Sequence, residues 1–579
     1  MNKIKVMLTT EGTYPFHQGG VSTWCDALIK NCNKIDFTVY SITMNPFITK
    51  KFTLPENANM IQVPLWGTEE PSEHLNLPFS KVFLDKKNTT NDVIDTQFID
   101  CFSNLIIEIL NLKKDPEKFA DILLNLFKYF SKYEYKKSFK SETTWETYKT
   151  ILIDFTKNKD NKVQNPDVFG LISSLGWIYR FLNVINTPIP RTNVCHSSAA
   201  AFCGVPCVIS KKIYKSSFLL TEHGVYMREQ YLSLSKRLYS SFLSTFLIRF
   251  INSITSLNYY FADQISPVCE YNTRWEKKMG VKDEKIKVIY NGVDNSAFKP
   301  DYVNNKLNEI IITMVARIDP IKDIKMFIKA AAVVKAENIV SNSNMKVKFL
   351  LYGSVSVDEY YNECLEVRKE YNLINDFIFK GHTSDVPSVY KNCNVVVLSS
   401  ISEAFPYSVI EAMMSGKPVV ATDVGGVREA LGDTGIVVMP GDIKELANGI
   451  LKLIKNSKLR ISLGEEARER ALTNFTIDKI MTIYYKYYIN LAVGQKLSIK
   501  SKKIDINLVL RKAYASYYSL LYEEALKYFN IILIEFPKSI WTPVIHFEKA
   551  KIYGIINMND KKISEIKMAK RKIQNIKGA

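Results

Sequence analysis

Two carboxylates, Glu403 and Glu411, stand with seven residues between them in Ser402-Glu403-Ala404-Phe405-Pro406-Tyr407-Ser408-Val409-Ile410-Glu411. The apolar run at 395–398 reads as a strand, and the residues after Pro406 read as a helix, with Glu411 expected two turns in. A strand feeding a helix start offers unpaired backbone N–H groups and a positive dipole end, which together attract an anion. Carboxylates at such a place suit a phosphate-bearing ligand whose hydroxyls need acceptors, as in a nucleotide sugar. Glu403 is expected to take donor-sugar hydroxyls and Glu411 ribose hydroxyls, beside the backbone of Ala404, Phe405 and Pro406.

Arg317 and Lys322 follow the apolar run 310–315. Ligands of open α/β sheets bind beyond the carboxyl ends of the strands. There a guanidinium can clamp phosphate oxygens in pairs and an ammonium adds a second charge. The two are expected to stabilise a departing diphosphate without a metal or other cofactor. Gly19 and Gly20, after the run 5–8, allow close backbone approach to a ligand ahead of a helix expected at about 22–32. His223, in Thr221-Glu222-His223-Gly224, also follows an apolar run. It is expected to orient sugar hydroxyls, with Glu222 and His196 on the acceptor side. His382, after the run 377–379, is expected near the nucleotide base.

These residues need two sheets to carry them. Strand-like runs at 310–315, 347–352, 377–379, 395–398, 418–421 and 435–438 alternate with helical spacing, as doubly wound units do. The first half opens with strand, glycine turn and helix, and strands resume at 194–196 and 218–220. Between about 90 and 185, Leu, Phe and Lys recur at helical spacing, which reads as a helical insertion. A long helical run is expected from 227 to about 259. A boundary falls around 297–308. The expected organisation is an N-terminal acceptor-side domain over 1–298, a nucleotide-sugar domain over 299–475, a helix over 476–499 that packs back, and a basic helical extension over 500–579. In that extension Ala525, Phe529 and Pro537 keep the offsets of the second helix of a tetratricopeptide repeat. A docking pair and a plain helical cap are both open readings.

The 579 residues exceed one core, and 46% hydrophobic content is globular. The net charge is +18, of which residues 501–579 contribute 15 Lys+Arg against 7 Asp+Glu, a net of +8. No zinc finger, basic zipper or aromatic RNA-binding motif accompanies it, so the charge reads as solvated surface or an anionic partner rather than nucleic acid binding. The nine cysteines form no zinc set and read as buried thiols. The apolar run at the N-terminus is too short for a signal peptide, and no uncharged apolar stretch approaches the roughly twenty residues that span a bilayer. A cytoplasmic enzyme is expected, peripheral at the inner face of the membrane if the basic tail finds a polysaccharide synthesis or export partner there.

On residues 262–266, Val288-Ile289-Tyr290-Asn291-Gly292-Val293-Asp294 with Phe298, the Arg317/Lys322 pair and the Glu403/Glu411 spacing, the chain resembles a family 4 glycosyltransferase of the two-domain GT-B fold. Glu11-Gly12-Thr13-Tyr14-Pro15, Gly19-Gly20-Val21-Ser22 and residues 220–229 resemble its PelF-type branch, linked to exopolysaccharide synthesis. The resemblance covers about 1–490. It implies retaining transfer of a hexose or N-acetylhexosamine from a nucleoside-diphosphate sugar, often a UDP-sugar, to a carbohydrate acceptor without a catalytic divalent metal. Ala404 departs from the glycine of many relatives, and Pro320-Ile321 replaces a commoner glycine-containing stretch. Two rivals are a noncatalytic nucleotide-sugar-binding scaffold for a membrane synthase and a GT-B transferase with a small or lipid-linked acceptor.

Overall fold

The computed structural model describes residues 3–300, 309–340, 345–499, 506–518, 520–536, 539 and 541–577. Two six-stranded parallel sheets make up its body. The first holds β1 (Ile4–Glu11), β2 (Ile35–Thr43), β3 (Ala58–Pro64), β4 (Val194–Ser197), β5 (Ser217–Glu222) and β6 (Gln264–Pro267), in the order β3-β2-β1-β4-β5-β6. The second holds β7 (Glu309–Val315), β8 (Lys346–Tyr352), β9 (Phe377–Gly381), β10 (Val395–Leu398), β11 (Val419–Thr422) and β12 (Ile436–Val438), in the order β12-β11-β10-β7-β8-β9. Every pairing is parallel, with β1 in register from Ile4↔Ile35 to Glu11↔Ile42. Helices cover both faces, so central strands such as Val395–Leu398 are buried at every residue and read as unbroken apolar runs.

Both strand orders reverse direction once, between β1 and β4 in the first sheet and between β10 and β7 in the second. At such a reversal the two crossovers leave on opposite faces and open a crevice beyond the strand ends. The residues that follow β1, β7 and β10 therefore inherit the crevices.

The helical insertion lies between β3 and β4. It begins earlier than the expected 90, because the helix Phe79–Asn88 already belongs to it, and it ends at Ile185. Its aromatic core joins Phe98, Phe102, Phe130 and Phe139 at centroid distances of 5.4 to 5.9 Å. One expected long helix is two, Tyr226–Leu234 and Ser241–Phe261; Ser240 breaks the run by accepting a cap bond from the Leu243 N–H. The helix Ile477–Ile499 crosses from the second lobe to the first, where Tyr484, Tyr488 and Ala492 are buried against Trp24, Leu28 and Phe37.

Beyond it lie two helical pairs, Ile506–Tyr518 with Tyr522–Glu535 and Thr542–Ile555 with Asn559–Lys577. Ala525 and Phe529 are buried with Val509 and Ala513, as the repeat offsets require; Pro537 lies outside the described residues. All nine cysteines are free thiols, eight of them buried. Among the described residues one helical span, Val168–Ile185, could cross a bilayer by length and composition; 44% of it is buried inside the protein, where it walls the first lobe.

Candidate functional site

The reversal in the second sheet brings Lys322 and Glu403 together. Lys322 ends the single turn Pro320–Lys322 after β7, and Asp319 starts that turn by accepting from the Ile321 N–H. Glu403 sits on the turn after β10. The Lys322 Nζ lies 2.5 Å from Glu403 Oε1, and the Ser400 hydroxyl donates to the same oxygen at 2.6 Å. Both side chains are largely enclosed, 18% and 10% exposed. Ser399 ties the two loops by donating to the carbonyls of Lys322 and Asp323 at 3.0 Å each, and the Ile401 N–H donates to the Ile321 carbonyl at 2.8 Å. Each of these two predicted residues is thus the other's partner. One Nζ proton and one carboxylate oxygen are engaged, leaving the ammonium two donors and Glu403 its Oε2.

The turn is also held from behind by a glycine pair after β11. The Gly426 N–H donates to the Ala404 carbonyl at 2.6 Å. At Gly425, where φ is +57°, a Cβ would fall 1.9 Å from the Glu403 carbonyl oxygen, so only glycine fits. The signal that singled out Gly19-Gly20, paired glycines beyond a strand end, is equally present in Val424-Gly425-Gly426-Val427 but was not part of the predicted site.

The first lobe closes on the same turn. Arg228 donates to the Ser402 hydroxyl at 3.0 Å, Cys269 Sγ to the Ala404 carbonyl at 3.4 Å, and Asn291 Nδ2 to the Phe405 carbonyl at 3.0 Å. Glu429 accepts from the N–H groups of Glu270 and Tyr271 at 2.8 to 3.3 Å, where it meets the start of the helix Glu270–Lys278. A Cβ on Gly20 would lie 3.2 Å from the Tyr407 ring, so the glycine start of the helix Gly20–Asn31 faces the first residue of the helix Tyr407–Met414. Gly19 is exposed beside it.

His223 joins this wall. Its ring meets Trp24, one turn along the Gly20 helix, with centroids 4.6 Å apart and planes at 70°. Its Nε2 is buried without a partner, and burial pushes its pKa down to about 3, so the ring is neutral. A neutral imidazole with an unused nitrogen can hydrogen-bond a hydroxyl but brings no charge to a phosphate.

The structure moves several expected residues out of the site. His196 is 0% exposed, and both ring nitrogens are engaged, Nδ1 with Tyr488 at 2.6 Å and Nε2 with Thr221 at 2.7 Å. It pins the helix Ile477–Ile499 to the first sheet and faces no acceptor. Glu222 is 0% exposed as well; it accepts from the Tyr259 hydroxyl at 2.8 Å, and burial raises its pKa. Phe405 is 3% exposed and its ring packs between Tyr290 and Phe475, with centroids at 5.1 and 5.3 Å, while its backbone stays on the turn with its carbonyl taken by Asn291. Pro406 is buried at the helix start and has no N–H to give.

Glu411 is one turn into its helix rather than two, because the helix begins at Tyr407. It accepts from the Tyr390 hydroxyl at 3.1 Å, and burial raises its pKa to about 7. Arg317 is exposed beyond β7; its guanidinium reaches Ser356 at 3.5 Å and makes no bond with the Lys322–Glu403 pair among the described residues. His382 is exposed next to Gly381, whose φ is +74°, and no hydrogen bond joins it to the other candidates among the described residues.

Glu11, at the end of β1, was quoted in the sequence without a role. It accepts from the Cys203 N–H at 3.2 Å and the Tyr226 hydroxyl at 3.3 Å, and burial raises its pKa to about 7. Beside it a cavity of about 440 Å³ opens between the first sheet, the insertion and the helices Tyr226–Leu234 and Ser241–Phe261.

Residues 297–470 match the family model described as "Glycosyl transferases group 1", and residues 4–284 match "Domain of unknown function (DUF3492)". Over 257 residues the chain is 30% identical to the N,N'-diacetylbacillosaminyl-diphospho-undecaprenol alpha-1,3-N-acetylgalactosaminyltransferase of Campylobacter jejuni, covering 42% of this chain and 64% of that one. It thus spans less than two thirds of that relative. It is 25% identical over 349 residues to the UDP-Gal:alpha-D-GlcNAc-diphosphoundecaprenol alpha-1,3-galactosyltransferase of Escherichia coli, covering 56% of this chain and 82% of that one. Among solved structures, sucrose-phosphate synthase from Thermosynechococcus elongatus aligns with a TM-score of 0.54 at 17% identity, over 85% of this chain and 100% of that one. Anabaena Alr3699/HepE in complex with UDP aligns at 0.51 and 15%, over 84% and 100%. The two facing parallel-sheet lobes are the GT-B fold.

Proposed function

We propose that this chain, whose C-terminal half carries a group 1 glycosyl transferase domain, transfers a hexosyl or N-acetylhexosaminyl group from a nucleoside-diphosphate sugar to a carbohydrate acceptor. The observation that carries the reading is the meeting of Lys322 and Glu403 at the sheet reversal, with Gly20 of the other lobe facing the same helix start. The diphosphate lies across that seam. Lys322 and Arg317 supply two positive charges against the one negative charge of Glu403, so a net cation faces the leaving group. Each such contact contributes on the order of 3 kcal/mol in the transition state. The reading takes no metal held by the protein.

Transfer breaks the bond between the anomeric carbon and the phosphate oxygen and forms one from that carbon to the acceptor hydroxyl. The hydroxyl proton passes to the departing phosphate oxygen. No side chain stands as a nucleophile in the reading, so departure and attack on one face, with retention, is the favoured course. Glu403 Oε2 takes donor-sugar hydroxyls, Glu411 those of the ribose, and His223 Nε2 a hydroxyl from the first lobe. The name of the Escherichia coli relative, a UDP-Gal transferase, supports a UDP-sugar as donor. The segments around Glu11-Gly12 and His223-Gly224 support a PelF-type exopolysaccharide role at the inner face of the membrane, with the basic helical extension as the partner surface.

The test is nucleotide release and thermal shift of the purified chain with UDP-glucose, UDP-galactose, UDP-N-acetylglucosamine, UDP-N-acetylgalactosamine and GDP-mannose. One donor is expected to raise the melting temperature and to be consumed, and the anomeric configuration of the product is read by NMR. If no donor binds or is consumed, the reading is wrong.

A further inference from the structure

The cavity beside Glu11 divides its polarity unevenly. Glu11 has both carboxylate oxygens engaged by the first lobe itself, and Thr43 Oγ1 is held between the Asn45 carbonyl and Gln62 Nε2 at 3.2 and 3.1 Å. Deeper in, the walls are aromatic: Trp66 meets Trp177 edge-on at 5.8 Å, Trp177 stacks on Phe181 at 5.3 Å, and Phe181 stacks on Phe202 at 4.2 Å. The remaining polar side chains, Gln230, Ser233 and Arg237, lie on one stretch of chain at the mouth; Arg237 donates one bond to the Tyr239 hydroxyl at 2.9 Å and keeps its other N–H groups. A saccharide in this space would leave most of its hydroxyls against hydrocarbon, at a cost of roughly 1–3 kcal/mol for each unpaired group. A chain of methylenes would leave none.

The surface around the mouth has the same character. Leu238, next to Arg237, is fully exposed, and Phe169 and Ile172 on the helix Val168–Phe181 are 66% and 58% exposed. Gly170 of that helix abuts the Phe242 ring, which places these side chains near the start of the helix Ser241–Phe261. Lys236 and Arg237 add positive charge. An exposed apolar rim with basic residues fits an anionic amphiphile presented from a lipid surface.

We propose that this cavity takes the hydrocarbon chain of an anionic amphiphile, its charged head at Arg237 and its chain along Trp177 and Phe181 toward Glu11. This rests on the glycosyltransferase reading in that it makes the acceptor a lipid-linked one. The cavity was not among the expected acceptor residues, and the insertion that builds half of it supplies the aromatic wall. Its volume of about 440 Å³ is within the range of small-molecule sites.

The test uses the full chain with dodecyl phosphate and farnesyl phosphate below their micelle concentrations, followed by quenching of tryptophan fluorescence and thermal shift. Inorganic phosphate and cellotetraose serve as head-only and sugar-only probes. Binding of the amphiphiles is expected, with affinity at least tenfold lower in Ser233→Phe, which fills the mouth from an exposed helix position, and severalfold lower in Arg237→Gln. Binding of both amphiphiles indicates any chain; binding of farnesyl phosphate alone indicates an isoprenoid. UDP affinity, measured beside these by calorimetry, is expected to be unchanged in both variants. Failure of both amphiphiles to bind, equal binding to Ser233→Phe, or equal quenching by cellotetraose overturns the proposal. Loss of UDP binding in the wild type would instead overturn the glycosyltransferase reading and leave the cavity result standing.

Discussion

Lys322 and Glu403 can be separated as a structural pair from Lys322 as a ligand for diphosphate by a double-mutant cycle. Lys322→Met removes the ammonium and leaves Glu403, 10% exposed, with the Ser400 hydroxyl alone. Exposed ion pairs contribute about 0–1 kcal/mol, whereas breaking a fully buried one costs about 3–5 kcal/mol. With exposures of 18% and 10% this pair stands nearer the buried limit, so Lys322→Met should cost about 2–3 kcal/mol. In a lobe of this size that lowers the melting temperature by roughly 5–10 °C. Glu403→Gln keeps the acceptor for Ser400 and should cost less, about 1–2 kcal/mol, because the lysine stem can turn its charge toward solvent. The double variant has no unpaired charge and should return to within about 1 kcal/mol of the wild type, a coupling of about 2–5 kcal/mol.

Activity should not follow stability. If the ammonium stabilises the departing diphosphate, kcat falls by about 10²–10³ in Lys322→Met and stays down in the double variant. Single-turnover sugar transfer, read beside thermal denaturation of all four proteins, gives both cycles. A double variant that regains activity together with stability would refute the catalytic reading and leave the pair as a strut between two loops. A coupling near zero would refute the structural half, and the 2.5 Å separation would then carry no energetic weight.

Gly425→Ala should destabilise the second lobe by about 3 kcal/mol or more and abolish transfer, since its Cβ meets the Glu403 carbonyl oxygen at 1.9 Å. Gly12→Ala, at a similar φ of +63° but with open space around it, should cost only about 1–2 kcal/mol; thermal denaturation compares the two. Arg228→Ala removes the charged bond to Ser402 across the seam and should raise the donor KM by about tenfold with a smaller change in kcat, as steady-state kinetics would read. Glu11, Glu70 and Glu411 are each pushed by burial to about 7, so the folded protein holds protons there that the unfolded chain has already released. Stability therefore falls as pH rises from about 4.5, where the unfolded carboxyls release their protons, through about 7, and levels off above it; Glu411→Gln should flatten the slope in pH-dependent melts.

The doubly wound halves were legible because parallel strands covered on both faces must be apolar throughout. Val395–Leu398 and Val419–Thr422 declare themselves as runs, and the turns between them carry glycine. β2 and β3 were harder: Asp36, Thr38 and Ser41 interrupt the apolar residues of β2, and β3 is only partly buried toward its start. The insertion was visible as helical spacing but not its beginning, because the helix Phe79–Asn88 buries none of its residues and so carries no apolar stripe for periodicity to find. Position after a strand end singled out Lys322, Glu403 and Gly20, which the structure brings to the seam. The same rule misplaced His196, which lies inside β4 (Val194–Ser197) and not after it, so that its ring meets a helix arriving from nearly three hundred residues away. The Tyr488 hydroxyl that it meets is 292 positions distant.

That distance shows why strand-end position alone is an incomplete guide to chemistry in a two-lobed protein. Each sheet has one reversal, and each reversal offers a crevice, but the last helix of the second lobe returns and fills part of the first lobe's share. Tyr484 and Tyr488 pack against β5 and β4, the Tyr484 hydroxyl bonding Thr221 and the Tyr488 hydroxyl His196. What remains open in the first lobe lies beyond β1 and β2: the glycine turn at Gly19-Gly20 on one side, and the aromatic cavity beside Glu11 on the other. The two flank one strand end. The donor reading takes the glycine side of that strand end and the amphiphile the other, its chain toward Glu11 and its head outward at Arg237, while the crossing helix covers the β4 side.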